Sequence, residues 1–497
     1  MSLEVQPGNS ATQFSVNLNH SLDFSQLLTS NDAPLDSDIP IIRAVISDGE
    51  THVDALNKQI HDLQLTLAGL VQRRDKMAEQ VRQHHAIVSP VRRLPPEVLC
   101  EIFVLSLDEK RPPWHVGHIC QSWRHTALCY PLLWSSVAVS STSSPQYTTG
   151  VQTQLLRSVN APLDIYCGNA PYTIDAYSSW FALVIPQSCR WRTLHIHNLG
   201  GFDWLRPVEG RLDQLEELTI TSCFGANIPD VFTTAPNLRR AIFTDTAFSD
   251  RSPLVPLPWG QITHYRGPYP PERPIDILKA AQKLLFWEID FSVHADAPLD
   301  PTTPTILPRL RGLSVGIAFV LSQLTTPQLE TLVLRIARSS FLSILLPLIH
   351  RSSCTLNKLV LMQCEIGPEL IHVLRELPAL AYLLVERSRN GSNPQEFFQA
   401  MTFTGATSIL CPNLTTMVYG HWSLCSLPQD DFLTMVRSRF QSSPNGASRL
   451  GSLRLYDTFD KLPPADLLAQ IAMLCAEGFD AAFLDYQDAV SLGGPLV

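Results

Sequence analysis

The side chains most able to do chemistry are a group of histidines and cysteines early in the chain. Zinc prefers such ligands, in tetrahedral sets of four. The group consists of His115, His118, Cys120, His125 and Cys129. If one helix carries Cys120 and Cys129, they lie about two and a half turns apart, too far for one tetrahedral ion. The spacing therefore favours packed or solvated helix residues, and neither a metal nor another cofactor is expected.

A second pair of histidines lies on a predicted strand. His195 and His197 flank Ile196, so their side chains point to the same side of the strand. This arrangement favours ordinary exposed residues or part of an interaction surface over metal ligands. The chain contains no phosphate-binding loop, dinucleotide glycine fingerprint, nucleophile elbow or zincin helix. We therefore expect no catalytic residues and no enzymatic activity.

Composition narrows the classes of protein further. The 497 residues carry a formal net charge of -9, which disfavours binding to nucleic acid or to an anionic membrane. The longest apolar run, residues 341–349, contains Pro347 and falls short of the roughly 20 residues that cross a bilayer. Eleven cysteines form no CxxC pair and follow no secretory signal. These features predict reduced thiols and a cytoplasmic or nuclear location.

The first 89 residues divide into a tail and a helix. Residues 1–38 are rich in small polar residues and predict a disordered tail. Residues 39–89 predict a long helix, started by Asp38 and Pro40 or later by Ser47 with Glu50. Apolar residues repeat in steps of three and four at Val53, Leu56, Ile60, Leu63, Leu67, Leu70, Met77 and Val81. This seam indicates either a homodimeric coiled coil through residues 53–81 or a single amphipathic helix that packs on its own chain.

Residues 90–139 predict a small helical module. Pro95 and Pro96 can start a helix with an apolar face that includes Leu99, Ile102 and Phe103. A second helix carries Val116, Ile119, Cys120, Trp123 and Ala127 on one stripe, before Leu133 and Trp134. About 45 residues bury too little surface to be stable alone, so the module should lean on a partner.

The order of these residues resembles the F-box. The matching positions are Leu94-Pro95-x-Glu97, the pair Ile102-Phe103, Cys120-x-x-Trp123-Arg124 and Leu133-Trp134. The resemblance implies a three-helix module that docks on a Skp-type adaptor of a cullin-RING ubiquitin ligase. By this resemblance, Leu94, Pro95, Ile102 and Phe103 bind the adaptor. The F-box core would contain Leu99, Ile119, Cys120, Trp123 and Trp134. The stretch 108–115 departs from the family, which often has an acidic, leucine-rich turn there.

After residue 150 an apolar-x-x-apolar-x-apolar pattern recurs ten times. The units begin at Trp191, Leu215, Leu238, Leu284, Leu310, Leu329, Leu356, Leu380, Leu414 and Leu450. The steps from Trp191 to Leu215 and Leu238 are 24 and 23 residues, inside the range of leucine-rich repeats. Five units have a proline two residues before the first leucine: Pro236, Pro308, Pro327, Pro378 and Pro412. Cys223 and Cys364 take the turn position where these repeats favour Asn or Cys.

Each unit should therefore form a strand and a helix, such as Glu369–Leu377, that stack into an α/β solenoid with a concave parallel sheet. Residues 163–165 predict a degenerate capping strand. The strand residues between the apolar positions face outward, so target binding is expected on the concave face. Glu217, Thr219 and Lys358 represent that face.

The sequence thus predicts a tail (1–38), a helix (39–89), an F-box (90–139), a linker (140–150) and a leucine-rich-repeat solenoid (151–497). This order is similar to that of many fungal F-box-like proteins. It implies a substrate-recognition subunit of an SCF-type ubiquitin ligase, with the Skp-type adaptor, the cullin and an unidentified protein target as partners. The alternative is a protein-interaction scaffold of the same architecture without a role in ubiquitination.

Overall fold

A computed structural model gives the fold in two compact units, Met1–Pro95 and Pro96–Val497. It describes the residues 25–106, 113–140, 145–168, 178–197, 202–221, 228–244, 256–268, 274–290, 304–316, 319–335, 339–389, 393–404, 410–441 and 447–492. The remaining residues include most of the predicted tail, the stretch 108–112 and Cys223, so those predictions lie outside the described residues.

The first unit is dominated by one long helix. A short helix α1 (Ser25–Thr29) lies inside the predicted tail and is followed by α2 (Ile39–Ile87). The helix α2 starts where Asp38 and Pro40 predicted, and a 3-10 turn, Pro90–Arg93, follows it. No residue of α2 is buried, and each apolar residue of the predicted seam is about half exposed or more. The long helix is confirmed, and the apolar residues of its seam are exposed.

The second unit opens with three helices, α3 (Pro96–Ser106), α4 (Val116–Ile119) and α5 (Gln121–Leu128). A 3-10 turn, Pro131–Trp134, then leads into the first strand, β1 (Ser136–Ser140). This strand pairs with the next strand of the main sheet. The helical segment and the sheet therefore belong to the same compact unit.

One parallel sheet of fourteen strands forms the body of this unit. After β1 its strands are β2 (Leu163–Gly168), β3 (Trp191–His197), β4 (Glu217–Thr221), β5 (Arg240–Thr244), β6 (His264–Pro268), β7 (Phe286–Asp290), β9 (Gly312–Val315), β11 (Thr331–Leu334), β12 (Lys358–Cys364), β13 (Tyr382–Arg387), β14 (Thr416–His421), β15 (Ser452–Asp457) and β16 (Asp480–Leu484). Two short strands, β8 (Thr305–Ile306) and β10 (Leu324–Thr325), pair separately. The strands follow chain order, which is the topology of a solenoid.

The repeated apolar positions form the core, as the sequence predicted. In the strand β4, for example, Leu218 and Ile220 are buried beside Leu194 and Ile196 of β3 and Ala241 and Phe243 of β5. All ten predicted units have their strand in the sheet. The sequence analysis missed β1, β6 and β16.

The connections between strands run over the inner face of the sheet. Their helices are α6 (Pro145–Arg157), α7 (Ser178–Val184), α8 (Pro274–Ala280), α9 (Phe319–Ser322), α10 (Ser339–Ser352), α11 (Pro368–Arg375), α12 (Gln395–Met401), α13 (Gln429–Gln441) and α14 (Ala465–Ala476). A last helix, α15 (Tyr486–Leu492), follows the strand β16 and is not a connection. In α11, Leu370 and Leu374 are buried as predicted. Among the described residues of the connections before β5 and β6, the helix that the sequence predicted for every unit is not seen. Their described residues, 228–239 and 256–263, form turns. Proline lacks the backbone N–H that a helix interior needs, and Pro229, Pro236, Pro256 and Pro258 lie in these stretches.

Two predicted boundaries differ from the structure. The proposed linker, 140–150, already contains the start of α6 at Pro145. The proposed capping strand at 163–165 is β2, but β1 precedes it in the sheet. Because β1 directly follows Trp134, the sheet begins inside the segment predicted as the F-box.

Candidate functional site

The helix α3 has two apolar faces. Leu99, Cys100 and Phe103 are buried on its inner face. On its outer face Val98, Ile102 and Leu105 recur in steps of four and three, with exposed fractions of 42%, 41% and 83%. A helix in water normally exposes polar residues on its outer face. The outer face of α3 is therefore a candidate docking surface, defined here by these three residues.

Aromatic contacts fix the inner face. The rings of Phe103 and Trp123 lie 4.9 Å apart. The indole Nε1–H of buried Trp134 donates to the carbonyl of Ala127 over 2.7 Å. The guanidinium of Arg157, at the end of α6, lies 4.4 Å from the Trp134 ring. This cation–π contact ties the helical segment to the first connection of the sheet.

Several residues predicted for this segment occupy different places. Phe103, predicted to bind the adaptor from the first helix, is only 1% exposed and belongs to the core. Ile119, predicted as core, is 59% exposed, and Cys120 is exposed too. The reason is a break in the helix: Cys120 is extended (φ -156°) and caps α5, its sulfur accepting from the N–H of Trp123 over 3.4 Å. Because α5 is a new helix that begins after Cys120, its side chains do not continue the stripe of α4, and Trp123 is half-buried.

The other predicted positions are placed as follows. Leu99 and Trp134 are buried, in agreement with a core role. Leu94 is half-buried and Pro95 is exposed. They are the last two residues of the first unit. The sequence analysis did not predict Val98 and Leu105 as exposed apolar residues beside Ile102. Their spacing to Ile102 is helical, so the same periodicity that identified the inner face could have identified them.

The outward face of the sheet is polar over its first strands. The residues that share one outward row are Tyr166, His195, Thr219, Ile242 and Arg266, all partly exposed. The rings of Tyr166 and His195 stack at 4.6 Å with an interplanar angle of 3°. His197 is exposed on the same side. This part of the face is accessible to a partner.

Charged pairs cross the neighbouring outward row. Arg192 forms two hydrogen bonds with the Asp164 carboxylate, of 3.0 and 2.6 Å. The predicted target residue Glu217 lies 3.6 Å from the Arg240 guanidinium. A pocket of about 280 Å³ opens beside this pair. Both pairs are partly exposed, so a partner can reach their charged groups.

A buried carboxylate separates the two halves of the face. Glu288 of β7 is fully buried and contacts the guanidinium groups of Arg335 and Arg266, the latter at 3.6 Å. Buried carboxylates need such partners, because desolvation of an unpaired charge is expensive. This cluster marks the point beyond which the outward row becomes apolar.

On the strands β11 to β14 the middle row of the outward face is buried. Val333 and Val360 lie between the first apolar positions of their repeats, where the sequence predicted outward-facing residues, and both are buried. Lys358 is half-buried, and its ammonium group contacts the carbonyl of Leu492 at 3.2 Å. The expectation of an open concave face is therefore wrong for these strands, where Ala489 of α15 belongs to the same buried cluster as Val333 and Val360.

The buried polar groups at this end have shifted pKa values. Burial raises the pKa of the Glu386 carboxyl, although the hydrogen bond from Tyr456 opposes the shift. Burial, followed by the nearby Arg387 cation, lowers the pKa of His421 to about 4. His421 is therefore neutral at physiological pH.

The described residues do not form a metal site. No group of three or more His, Cys, Asp and Glu side chains among them could hold an ion. In the helical segment Cys129 and His125 approach each other at 3.9 Å, one turn apart on α5. Within the part of the chain that the structure describes, no helix is long and apolar enough to cross a membrane.

Comparisons with known proteins give only distant similarities. No protein-family model and no curated protein matches the chain. Among solved structures, an internalin from Listeria monocytogenes is similar over 71% of this chain and 88% of its own, at 13% identity and a TM-score of 0.35. A leucine-rich-repeat protein from Leptospira interrogans is similar over 72% of this chain and 98% of its own, at 10% identity and a TM-score of 0.28.

Proposed function

We propose that this protein is a target-recruiting subunit of an SCF-type ubiquitin ligase. The helical segment docks on a Skp-type adaptor, which brings in the cullin, and the repeat sheet binds a protein target. The observation that carries the proposal is the outer face of α3. An F-box-like segment presents Val98, Ile102 and Leu105 to solvent while its inner face packs on the rest of the chain.

An exposed apolar face of this kind favours a partner. Burying one Leu or Ile side chain stabilises a complex by roughly 1.5 to 3 kcal/mol. Two such side chains, Ile102 and Leu105, lie one turn apart on α3 and can enter the same interface. Docking there leaves the inner core around Phe103 intact.

The mechanism needs no catalytic group in this chain. The helical segment and the sheet lie in one compact unit, joined through β1 and the contact of Arg157 with Trp134. A target held on the sheet is then kept at a restricted distance from the docked ligase. The effective concentration of its lysines near the conjugating enzyme rises accordingly.

In the proposed assembly the chain forms a homodimer through the apolar seam of α2. Leu56, Ile60, Leu63 and Leu67 form continuous heptad positions and are all more than half exposed. Two such helices bury each other's seam in a coiled coil. A dimer presents two target faces, which strengthens the capture of a target with two binding sites.

The test is co-purification of the full chain with a Skp-type adaptor and a cullin. The double substitution Ile102→Asp/Leu105→Asp is expected to weaken adaptor binding by roughly 100-fold or more. Leu156→Asp is the matched control, since Leu156 is 74% exposed on α6, outside the proposed docking face. The control should bind as the unmodified chain does. Circular dichroism should be the same for all three proteins.

Two results would contradict this proposal. Normal adaptor binding by the double variant would move docking away from the outer face of α3. Failure of the unmodified chain to bind both adaptor and cullin would refute the ligase role and favour the scaffold alternative.

A further inference from the structure

A second hydrophobic cluster lies on the outward face of the sheet, separate from the main core. Its members on four successive strands are Val333, Val360, Leu384 and Val418, none more than 1% exposed. Their counterparts on the first strands, such as Tyr166 and Thr219, are partly exposed. We call these four residues the outer groove. Its burial requires a cover that the first strands lack.

The last helix of the described chain, α15, packs against this cluster. After β16 the chain turns at Asp485 and α15 returns across the sheet. Ala489 is fully buried in the cluster, and the Tyr486 ring lies 6.2 Å from that of Tyr456. The N–H of Tyr486 donates to the Asp460 carboxylate over 2.7 Å.

Lys358 holds the far end of this helix. Its ammonium group donates to the carbonyl of Leu492, the last residue of α15, over 3.2 Å. The same group lies 4.7 Å from the centre of the Tyr382 ring. A cation at the carboxyl end of a helix satisfies a free carbonyl and complements the helix dipole. The outer groove therefore binds a helix in a defined direction.

The helix α15 is short and has few buried side chains of its own. With seven residues, α15 is far too short to be helical by itself in water. Gln487, Asp488 and Ser491 are exposed, and Ala489 is its one fully buried side chain among those described. The strands below, in contrast, are paired on both sides. The helix can thus leave the groove while the sheet stays intact.

We propose that the outer groove is the target-binding site and that α15 occupies it as an internal ligand when no target is present. The target supplies a short amphipathic helix that replaces α15. Its chemistry follows from α15: an aromatic residue, a small residue three positions later, and a carboxyl end that accepts from Lys358. This inference depends on the proposal that the sheet binds a protein target, but not on adaptor docking through α3.

The arrangement has a quantitative consequence. A tethered segment competes with an effective concentration in the millimolar range. A free peptide with the sequence of α15 should therefore bind poorly to the unmodified chain. It should bind much better to a chain whose own α15 is expelled from the groove.

The experiment uses the full chain with Ala489→Arg, which places a charged side chain where Ala489 is buried. The probe is a fluorescently labelled, amidated peptide of residues 485–492, and binding is read by anisotropy. We expect at least about tenfold tighter binding to Ala489→Arg than to the unmodified chain. Gln487→Arg is the control, since it adds the same group on the exposed side of α15. It should behave like the unmodified chain.

A second substitution tests the role of Lys358. Lys358→Met added to Ala489→Arg should weaken peptide binding by about five- to tenfold, because it removes one charge-assisted hydrogen bond. A folded Ala489→Arg chain that does not bind the peptide more tightly would overturn the proposal. If that chain still binds the adaptor normally, the result contradicts only the role of the outer groove and leaves the ligase role standing.

Hydrogen exchange on the unmodified chain gives an answer even if Ala489→Arg does not fold. The amides of α15 should exchange at least about 100-fold faster than those of β12, β13 and β14, which reflects opening of the helix alone. Equal protection of helix and strands would make α15 an integral part of the fold and overturn the proposal.

Discussion

The hydroxyl of Tyr456 donates a hydrogen bond of 2.9 Å to the carboxylate of Glu386, two strands away. The two residues share a row with Gly420, which lies between them on β14. The ring of Tyr456 passes directly over Gly420, so any Cβ there would overlap it, with Cε2 only 2.7 Å away. The hydrogen bond between Tyr456 and Glu386 can therefore form only because residue 420 is a glycine.

Replacement of Gly420 by alanine should be strongly destabilising. The added methyl group displaces the Tyr456 ring and removes its hydrogen bond to the buried Glu386 carboxyl. We expect Gly420→Ala to lower the free energy of unfolding by about 2 to 4 kcal/mol, measured by chemical denaturation. Gly451→Ala is the control, since its new Cβ would lie 3.7 Å from the nearest atom, an ordinary contact.

A double substitution distinguishes a clash with the ring from a backbone effect. In a Tyr456→Ala background the ring is gone, so Gly420→Ala should cost less than about 1 kcal/mol. An unchanged cost in that background would show that the ring is not the reason for the glycine.

The leucine pattern was a strong predictor of the strands because each inward position faces the same core environment. The missed strand β6 explains the limit of that pattern. Its inward positions are Tyr265 and Gly267, and a Cβ on Gly267 would meet Phe243 at 3.1 Å. The neighbouring strand fills the space that the repeat normally gives to a leucine. The sequence pattern at that position is consequently lost.

The cover on the outward face could not be predicted from local sequence. The hydrogen bond from Lys358 to Leu492 joins residues 134 positions apart. No periodicity relates the two positions, and Val333 and Val360 look like ordinary strand residues. Similarly, the prediction that Ile119, Cys120 and Trp123 share one stripe assumed an unbroken second helix. The backbone at Cys120 is extended, so the helix is broken there.

The packing of Phe103 and Trp123 predicts unequal costs of truncation. Phe103 is buried, so Phe103→Ala should lower the free energy of unfolding by about 3 to 5 kcal/mol. Trp123 is half-buried, so Trp123→Ala should cost only about 1 to 2 kcal/mol. Chemical denaturation of both variants, with exposed Leu156→Ala as control, measures the difference. A Trp123 cost equal to that of Phe103 would support the full burial that the sequence suggested.

The seam of α2 predicts a dimer that two charges should abolish. Light scattering of the full chain should give twice the chain mass of 55.4 kDa. Leu63→Glu/Leu67→Glu places like charges in the seam and should give the mass of one chain. Leu65→Glu is the control, because Leu65 is 59% exposed but lies off the heptad seam. It should remain dimeric. Equal masses for all three proteins would contradict a dimer formed by this seam.

The low pKa of His421 predicts a loss of stability in mild acid. The folded protein keeps the ring neutral down to about pH 4, because burial and the Arg387 cation disfavour its charged form. The unfolded chain takes up a proton near pH 6.5, so protons favour unfolding between these two values. Between pH 7 and pH 5 this group alone should lower the free energy of unfolding by about 2 kcal/mol.

Other groups titrate in the same range, so a matched variant isolates the histidine. The raised pKa of Glu386 acts in the opposite direction, since the folded state then binds the extra proton and gains stability as the pH falls. His421→Gln keeps an acceptor for Arg387 but cannot titrate. Denaturation of both proteins at pH 7 and pH 5 should show a decrease in stability that is about 2 kcal/mol larger for the unmodified chain. The same decrease in both would mean that His421 is protonated in the folded state near pH 6 and that its burial is incomplete.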